Sequence, residues 1–217
     1  KTTLDGTLQQ HIQAMLDGRL NYLESQKVHN GAVLAVDHTT GEILAWVVAG
    51  KDTEDTPGRF IDAVTTPRQP GSALKPLLYS LALKKGWSAA TIIDDAPLTE
   101  SVGNGLHSYQ NYSRTFYGPV TLRRALGNSL NIPALKTLQY VGAEDYLNYL
   151  NNLGFTGLNN HPNFYGDGIA LGNGEVTLYE LVQAYAAIAN QGMFHPLTLF
   201  SDGLYVGLPR HVLSPEI

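Results

Sequence analysis

The chain is organised around one stretch, Arg68-Gln69-Pro70-Gly71-Ser72-Ala73-Leu74-Lys75-Pro76, which leads from an irregular segment into an apolar run. Leucines recur at helical spacing beyond it and predict a helix over residues 72–85. A spacing of three places Ser72 and Lys75 on one face, one turn apart, where the lysine amine can reach the serine hydroxyl. The helix N-terminus also favours a developing oxyanion. The stretch therefore predicts a serine nucleophile beside a lysine base.

The predicted chemistry requires a neutral Lys75, and the motif also has a non-catalytic interpretation. A lysine acts as a base only when it is neutral, which requires burial or a neighbouring positive charge to lower its pKa. Ser-x-x-Lys also occurs by chance in chains of this size, and a capping serine followed by a solvated lysine is the alternative interpretation. Pro76 lacks an N–H and cannot bond to the Ser72 carbonyl, so we expect a loosened first turn.

A second polar motif, Ser129-Leu130-Asn131, lies in a short break between two helical patterns. Such a break can present a hydroxyl and an amide to a cleft. Ser129 is predicted to pass a proton between the base and a leaving group. Asn131 is predicted to hold Lys75 or a substrate amide, because its side chain both donates and accepts hydrogen bonds. A helix cap followed by an asparagine in a turn is the alternative.

Together these motifs resemble the transpeptidase domain of bifunctional (class A) penicillin-binding proteins, most closely the penicillin-binding protein 1C branch. The resemblance rests on residues 68–76, on Tyr-Gly-Pro-Val-Thr-Leu-Arg-Arg-Ala-Leu-Gly-Asn-Ser-Leu-Asn-Ile-Pro at 117–133, and on Ala-Leu-Gly-Asn-Gly-Glu-Val-Thr at 170–177. Ser-x-x-Lys is a motif that this family shares with class A β-lactamases. The resemblance implies an α+β fold of the β-lactamase/transpeptidase type, with an antiparallel sheet covered by helices beside a mostly helical subdomain.

The resemblance also implies a reaction, the D,D-transpeptidation of peptidoglycan through a serine acyl-enzyme. Ser72, deprotonated by Lys75, is expected to attack the D-Ala-D-Ala donor of one stem peptide, and an amine of a second stem peptide then forms the cross-link. Ser129 is expected to protonate the leaving group while Asn131 steadies Lys75. Penicillins and other β-lactams are expected to acylate the same serine. The alternatives are a D,D-carboxypeptidase or β-lactamase, with water as acceptor, and a non-catalytic β-lactam-binding scaffold of the cell-wall machinery.

The family's third motif, Lys-Thr-Gly, does not occur in the sequence. The nearest string, Lys136-Thr137-Leu138, lacks the glycine and belongs to a helical pattern. In the family that motif lies on a downstream strand that helps bind the substrate carboxylate. We therefore expect an incomplete sheet here, completed by a second chain or a downstream segment. A Lys-Thr-Gly encoded beyond Ile217 would favour the enzyme, and a stop codon would favour the scaffold.

The N-terminal region is predicted to form a helix and a hairpin within residues 1–50. Apolar spacing predicts a long amphipathic helix over residues 3–30. Two β-rich runs at 32–36 and 43–49 flank His38-Thr39-Thr40-Gly41, which predicts a turn between them. Because both runs are almost continuously apolar, we expect both faces of the hairpin to be covered.

The remaining residues are predicted to be mainly helix and loop. Residues 60–192 are assigned to the nucleophile helix and the helical subdomain, so that 1–217 forms a partial transpeptidase domain without its C-terminal strands. Beyond the hairpin we predict loops at 51–58 and 87–118 and helices over 119–151 that are interrupted near 129–133 and at Gly142. A further helix is predicted to begin with a capping box at 177–180 and to end near 192, followed by short strands at 197–200 and 204–206.

The composition of the chain limits the classes of ligand and partner that we expect for it. The 217 residues include 14 Lys and Arg against 19 Asp and Glu, a net charge of −5, so we expect no nucleic-acid partner. Cysteine is absent and the seven histidines show no metal-ligand spacing, so we predict no metal and no cofactor. No apolar run approaches the length of a membrane span. The resemblance places the domain at the periplasmic face of the inner membrane, with the anchor outside this chain.

Overall fold

The structure, a computed structural model, describes residues 1–50, 58, 60–102, 105–201 and 207–216. The helices are α1 (Gly6–Tyr22), α2 (Lys75–Lys84), α3 (Leu122–Gly127), α4 (Asn131–Val141), α5 (Ala143–Asn152), α6 (Pro162–Tyr165) and α7 (Leu178–Ala189). The strands are β1 (Asn30–Val36), β2 (Ile43–Gly50), β3 (Ile92–Asp95), β4 (Leu98–Val102), β5 (Gly105–Tyr109), β6 (Gly118–Thr121), β7 (Met193–Phe194) and β8 (Arg210–His211). Short 3-10 helices span Glu24–Gln26, Gly71–Leu74 and Gly166–Leu171.

These elements form two compact units. The first comprises Lys1–Pro67 and Val176–Glu216, and the second comprises Arg68–Glu175. Helix α7 therefore belongs to the same unit as the β1–β2 hairpin. The assignment of residues 60–192 to the nucleophile helix and the helical subdomain of a partial transpeptidase domain stays a prediction.

The first unit is built on the antiparallel β1–β2 hairpin, in which Leu34 lies opposite Trp46. Helix α1 contacts both strands and α7 contacts β1. Leu34 and Trp46 pack in one apolar cluster with Tyr179 and Val182 of α7. The predicted hairpin and the predicted cover on both faces are therefore confirmed.

Helix α1 is shorter than predicted. Its N-cap is Asp5, whose Oδ1 accepts hydrogen bonds from the backbone N–H groups of Thr7 (2.9 Å) and Leu8 (3.0 Å). The helix ends at Tyr22, and Lys27 has a left-handed φ of 60° that no helix can include. The last apolar residue at helical spacing is Leu23, so the extension of the predicted helix to residue 30 has no support from the apolar pattern.

The capping box of α7 is confirmed. The Thr177 Oγ1 accepts a hydrogen bond from the Glu180 N–H (3.1 Å), and Glu180 Oε2 accepts one from the Thr177 N–H (2.9 Å). The strand predicted at 197–200 is wrong, since Thr198 and Phe200 form only isolated bridges, to Glu42 and Thr2 respectively. The predictions for 51–57 and for the strand at 204–206 lie outside the described residues.

The second unit is built on α2, whose Leu77, Leu78 and Tyr79 are fully buried. Helix α2 contacts α3, α4 and α5. The predicted interruptions of the helical region are confirmed, because α3 ends before Ser129 and Gly142, with a φ of 86°, separates α4 from α5.

The helix predicted over 72–85 begins later than expected. Residues Gly71–Leu74 form a 3-10 helix, in which the Lys75 N–H bonds to the Ser72 carbonyl, and the α-helix starts at Lys75. Pro76 has no N–H to offer that carbonyl, so the tighter 3-10 pattern is the available one. The first turn is therefore altered as expected, but it is tightened into a 3-10 helix and not loosened.

The loop predicted over 87–118 is wrong in part, because it contains three strands. Strand β3 pairs with β6, which places Ile93 opposite Val120, and β4 pairs with β5 in an exposed hairpin. The β3–β6 pairing joins segments distant in sequence, and the β4–β5 hairpin buries little apolar surface. Neither arrangement leaves a hydrophobic pattern in the sequence.

A buried polar contact in the second unit fixes the start of α4. Asp95 and Asn111 are 0% and 3% exposed. The Asn111 Nδ2 donates to the Asp95 carboxylate (2.9 Å to Oδ1, 2.8 Å to Oδ2), and its Oδ1 accepts from the backbone N–H of Asn131 (2.8 Å). The Tyr117 N–H also donates to Asp95 Oδ2 (2.9 Å). One amide thus joins the end of β3 to the first turn of α4.

We predict that Asn111→Ala lowers the free energy of unfolding by about 3 kcal/mol, because it removes a donor from a buried carboxylate and the acceptor of the Asn131 N–H. The matched control is Asn128→Ala, which removes an exposed side chain that donates to the Arg124 carbonyl (2.9 Å). We expect the control to cost about 1 kcal/mol or less. Urea denaturation followed by circular dichroism measures both, and equal losses would contradict a special role for Asn111.

Candidate active site

Lys75 is the centre of the polar site in the second unit. It is the first residue of α2 and is 1% exposed. Its Nζ donates to the Ser129 carbonyl (2.6 Å), the Ser129 Oγ (3.2 Å) and the Asn131 Oδ1 (2.8 Å). The structure therefore brings together three of the four site residues predicted from the sequence.

Burial lowers the pKa of Lys75 from its ordinary value of 10.5 to about 8. The three protons of the ammonium form match the three acceptors around it. The neutral amine has two protons, which suffice for the Ser129 carbonyl and the Asn131 amide oxygen. Its lone pair is then available to accept a proton from a hydroxyl group, which is the function of a general base.

Ser72 lies on the 3-10 turn immediately before Lys75 and is exposed. Among the described residues, neither its hydroxyl nor its backbone N–H forms a hydrogen bond. Ser72 is thus close to Lys75 along the chain but is not joined to the Lys75 amine. Its unpaired N–H, at the start of a helical segment, is available to a ligand oxygen.

A backbone hydrogen bond next to Ser72 fixes the turn that carries this residue. The Gly71 N–H bonds to the Gly172 carbonyl (3.3 Å). Gly172 has a φ of 79°, and a Cβ there would lie 2.1 Å from the Gly71 carbonyl oxygen. Only glycine fits this approach. The glycine of the Ala-Leu-Gly stretch at 170–172 therefore positions the turn that carries Ser72.

The Ser129 backbone directs its carbonyl at Lys75. Ser129 has a left-handed φ of 51°, an uncommon conformation for a residue other than glycine, and its N–H bonds to the Leu126 carbonyl (2.9 Å). The residue is exposed. Strain of this kind persists where the surrounding structure imposes it and is common at functional sites.

Asn131 is oriented by two further contacts. Its N–H donates to Asn111, and its Nδ2 donates to the Gln110 carbonyl (2.9 Å). Because the amide nitrogen is engaged by a carbonyl, the amide oxygen is the atom that faces Lys75 (2.8 Å). The orientation of Asn131 thus depends on the segment that follows β5.

Sequence reasoning missed these supporting residues, Asp95, Gln110 and Asn111, because they lie in a stretch without periodicity or a recognisable motif. It also missed a carboxyl pair in the same unit. A hydrogen bond with Asp167, together with burial and the Asp167 charge, raises the pKa of Glu100 to about 7. Such pairing is visible only when residues distant in sequence are placed together.

The residues that the structure describes contain no group of three or more histidine, aspartate or glutamate side chains placed to hold a metal ion. The helices within those residues include none that combines the length and the apolar character of a membrane span.

Comparison with known proteins identifies the family. Residues 31–205 match the family described as the penicillin-binding protein transpeptidase domain. The chain is 32% identical over 212 residues to penicillin-binding protein 1C of Escherichia coli, covering 93% of this chain and 26% of that protein. It is 35% identical over 199 residues to penicillin-binding protein 1A/1B of Bacillus subtilis, covering 89% and 21%. The chain thus spans about a quarter or less of the length of these relatives.

Solved structures show the same fold. Penicillin-binding protein 1A of Haemophilus influenzae matches with a TM-score of 0.71 and 27% identity over 85% of this chain and 28% of that chain. The transpeptidase domain of penicillin-binding protein 3 of Burkholderia pseudomallei matches with a TM-score of 0.79, covering 99% and 66%; its 22% identity supports the fold alone. The predicted α+β fold of the β-lactamase/transpeptidase type, with an incomplete sheet, is confirmed. The chain belongs to the penicillin-binding protein transpeptidase domain family.

Proposed function

We propose that this domain is a D,D-transpeptidase that cross-links peptidoglycan stem peptides through an acyl-enzyme on Ser72. Lys75 is the general base, Ser129 the proton relay, and Asn131 the residue that holds Lys75 and the substrate amide. The observation that carries the proposal is the setting of Lys75, which is almost fully buried, has a pKa lowered to about 8, and bonds to Ser129 and Asn131. The chain spans only part of the length of its relatives, so the activity of the whole protein is likewise a proposal.

The reaction follows from these positions. The Ser72 Oγ attacks the carbonyl carbon of the penultimate D-Ala while its proton passes to the neutral Lys75 amine. The Ser72 N–H donates to the oxyanion that forms. When the C–N bond breaks, the proton moves from Lys75 through the Ser129 hydroxyl to the departing D-Ala nitrogen. An amine of a second stem peptide then attacks the ester, its proton returns through the same groups, and Ser72 recovers its hydroxyl.

We also propose that a further segment or a second chain extends the β1–β2 sheet. Among the described residues this sheet has two strands, so the outer edge of β1 has no strand partner. An apolar groove of about 520 Å³ lies in the same unit, lined by Leu34 and Val36 of β1 and by Val182 and Tyr185 of α7. An unpaired strand edge beside apolar surface favours the addition of a strand. The periplasmic location, with an anchor outside this chain, is proposed on the family resemblance.

We predict that incubation with benzylpenicillin adds the mass of one penicilloyl group to the protein and that Ser72→Ala abolishes the adduct. Intact-mass spectrometry measures it, with circular dichroism to show that the variant is folded. The matched control is Ser108→Ala, which alters an exposed serine of β5 in the same unit and should keep the adduct. A folded parent protein without an adduct contradicts the catalytic proposal and favours the non-catalytic scaffold.

The acylation rate is expected to rise with pH because the base must be neutral. With a Lys75 pKa of about 8, the neutral fraction increases from about one tenth at pH 7 to about nine tenths at pH 9, so the rate should increase about tenfold. Lys75→Arg keeps the charge at all these pH values and should reduce acylation by about a thousandfold or more. Lys84→Arg, at the other end of α2, is the control and should keep both the rate and the pH profile. A rate that does not change over this interval argues against Lys75 as the base.

The reaction product distinguishes transfer to an amine from hydrolysis by water. With a D-Ala-D-Ala peptide and an added D-amino acid as amine acceptor, a transpeptidase should form the new amide in competition with the free acid. Mass spectrometry of the peptide products distinguishes the two. Formation of the free acid alone at every acceptor concentration would assign the domain as a carboxypeptidase.

A further inference from the structure

Two neighbouring polar pockets lie in the second unit, lined by residues of α5, of the segment 157–165 that includes α6, and of the segment 173–175. Their volumes are about 330 and 200 Å³, and Asn160 lines both. We call them together the amide groove, since six side-chain amides line them: Gln69, Asn148, Asn151, Asn159, Asn160 and Asn173.

The walls of the amide groove are tightly built. The Asn173 Nδ2 donates to the Tyr165 carbonyl (2.7 Å), and a Cβ at Gly168 would lie 2.5 Å from that nitrogen. A Cβ at Gly174 would lie 2.5 Å from the Leu158 Cδ2. Neither position accepts a side chain without a shift of its neighbour, and Asn173 is held in place before any ligand arrives.

An exposed aromatic ring lies at the groove. Phe164 is 72% exposed, whereas the neighbouring Tyr165 is 7% exposed. The two rings meet edge to face, with centroids 5.1 Å apart and an angle of 90°. The Tyr165 hydroxyl accepts the Asn160 N–H (3.3 Å). Phe164 is thus braced by a fixed ring while its own surface remains open to a ligand.

The charges at the groove exclude one class of ligand. Glu144 and Glu175 line it, and the lining residues include no lysine, arginine or histidine. A phosphate or carboxylate ligand would meet repulsion without a compensating cation. Anions are therefore poor candidates for this groove.

The amides favour a neutral, hydroxyl-rich ligand. Each amide side chain both donates and accepts hydrogen bonds, as sugar hydroxyl and acetamido groups do. The side chains of Asn148, Asn151 and Asn159 form no hydrogen bonds within the described part of the chain. An exposed aromatic ring supplies the flat apolar surface against which the C–H face of a sugar ring packs. Amides, an open ring and no cation together match a saccharide.

We propose that the amide groove binds a neutral N-acetylated oligosaccharide, with Phe164 against one sugar ring and the amides on its hydroxyl and acetamido groups. The identification of the natural ligand as the glycan strand that carries the stem peptides rests on the proposed transpeptidase function. Gln69 and Asn173 adjoin the Gly71–Gly172 contact that holds the Ser72 turn. A glycan bound here keeps its stem peptides at a high effective concentration near the nucleophile.

The test is binding of the β-1,4-linked tetramer of N-acetylglucosamine to the intact protein, measured by isothermal titration calorimetry. We expect saturable binding at ligand concentrations up to about 5 mM. Phe164→Ala and Asn160→Ala should each weaken binding at least about tenfold. The control is Tyr112→Ala, which removes a ring that is 102% exposed elsewhere in the same unit and should leave the affinity unchanged.

Three results would overturn the proposal. The first is no saturable binding by the parent protein, and the second is binding by both groove variants that is as tight as binding by the parent. The third is tighter binding of the deacetylated, positively charged tetramer, which would mean that the two glutamates select a cation. Penicillin acylation of the same samples keeps the two proposals apart. Acylation without saccharide binding contradicts the groove alone, and saccharide binding without acylation contradicts the transpeptidase alone.

Discussion

The site depends on the burial of one amine. Lys75 is 1% exposed, and its acceptors are a backbone carbonyl, a hydroxyl oxygen and a side-chain amide oxygen, with no carboxylate among them. The lowering of its pKa from 10.5 to about 8 corresponds to about 3 kcal/mol against the charged form. This destabilisation of the folded state is complete below pH 8 and is relieved as the pH rises towards 10.5, because the folded form loses its proton first. The surrounding helices must offset it, and the buried leucines of α2, Leu77 and Leu78, contribute to that.

The acceptors around Lys75 are themselves held by buried polar contacts. The Asn131 amide oxygen faces the amine because the side-chain nitrogen donates to the Gln110 carbonyl and the backbone N–H donates to Asn111 Oδ1. Asn111 is in turn fixed by the buried carboxylate of Asp95. Ser129 contributes its carbonyl through a left-handed turn. Each of these groups is oriented without a ligand, and preorganisation of this kind would lower the reorganisation that the proposed reaction requires.

The amide groove and the Ser72 turn share one structural support, the contact between Gly71 and Gly172. Ser72 follows Gly71 directly, and Asn173 of the groove follows Gly172 directly. In the proposed complex, the polymer that carries the stem peptides is bound by the element that positions Ser72, the proposed nucleophile. Recognition of the polymer and of the reacting peptide would then be coupled through multivalency, without any conformational change.

The sequence by itself determined the local features: the one-turn spacing of Ser72 and Lys75, the break at Ser129, the β1–β2 hairpin and the Thr177 capping box. Each depends on residues within a few positions of one another, which is the range over which spacing and turn chemistry act. Only the tertiary structure decided the burial of Lys75, the β3–β6 pairing, the bridge through Asn111 and the amide groove. These arise from contacts between segments far apart in the chain, and burial and hydrogen bonding at such contacts are set by packing, which no local pattern records.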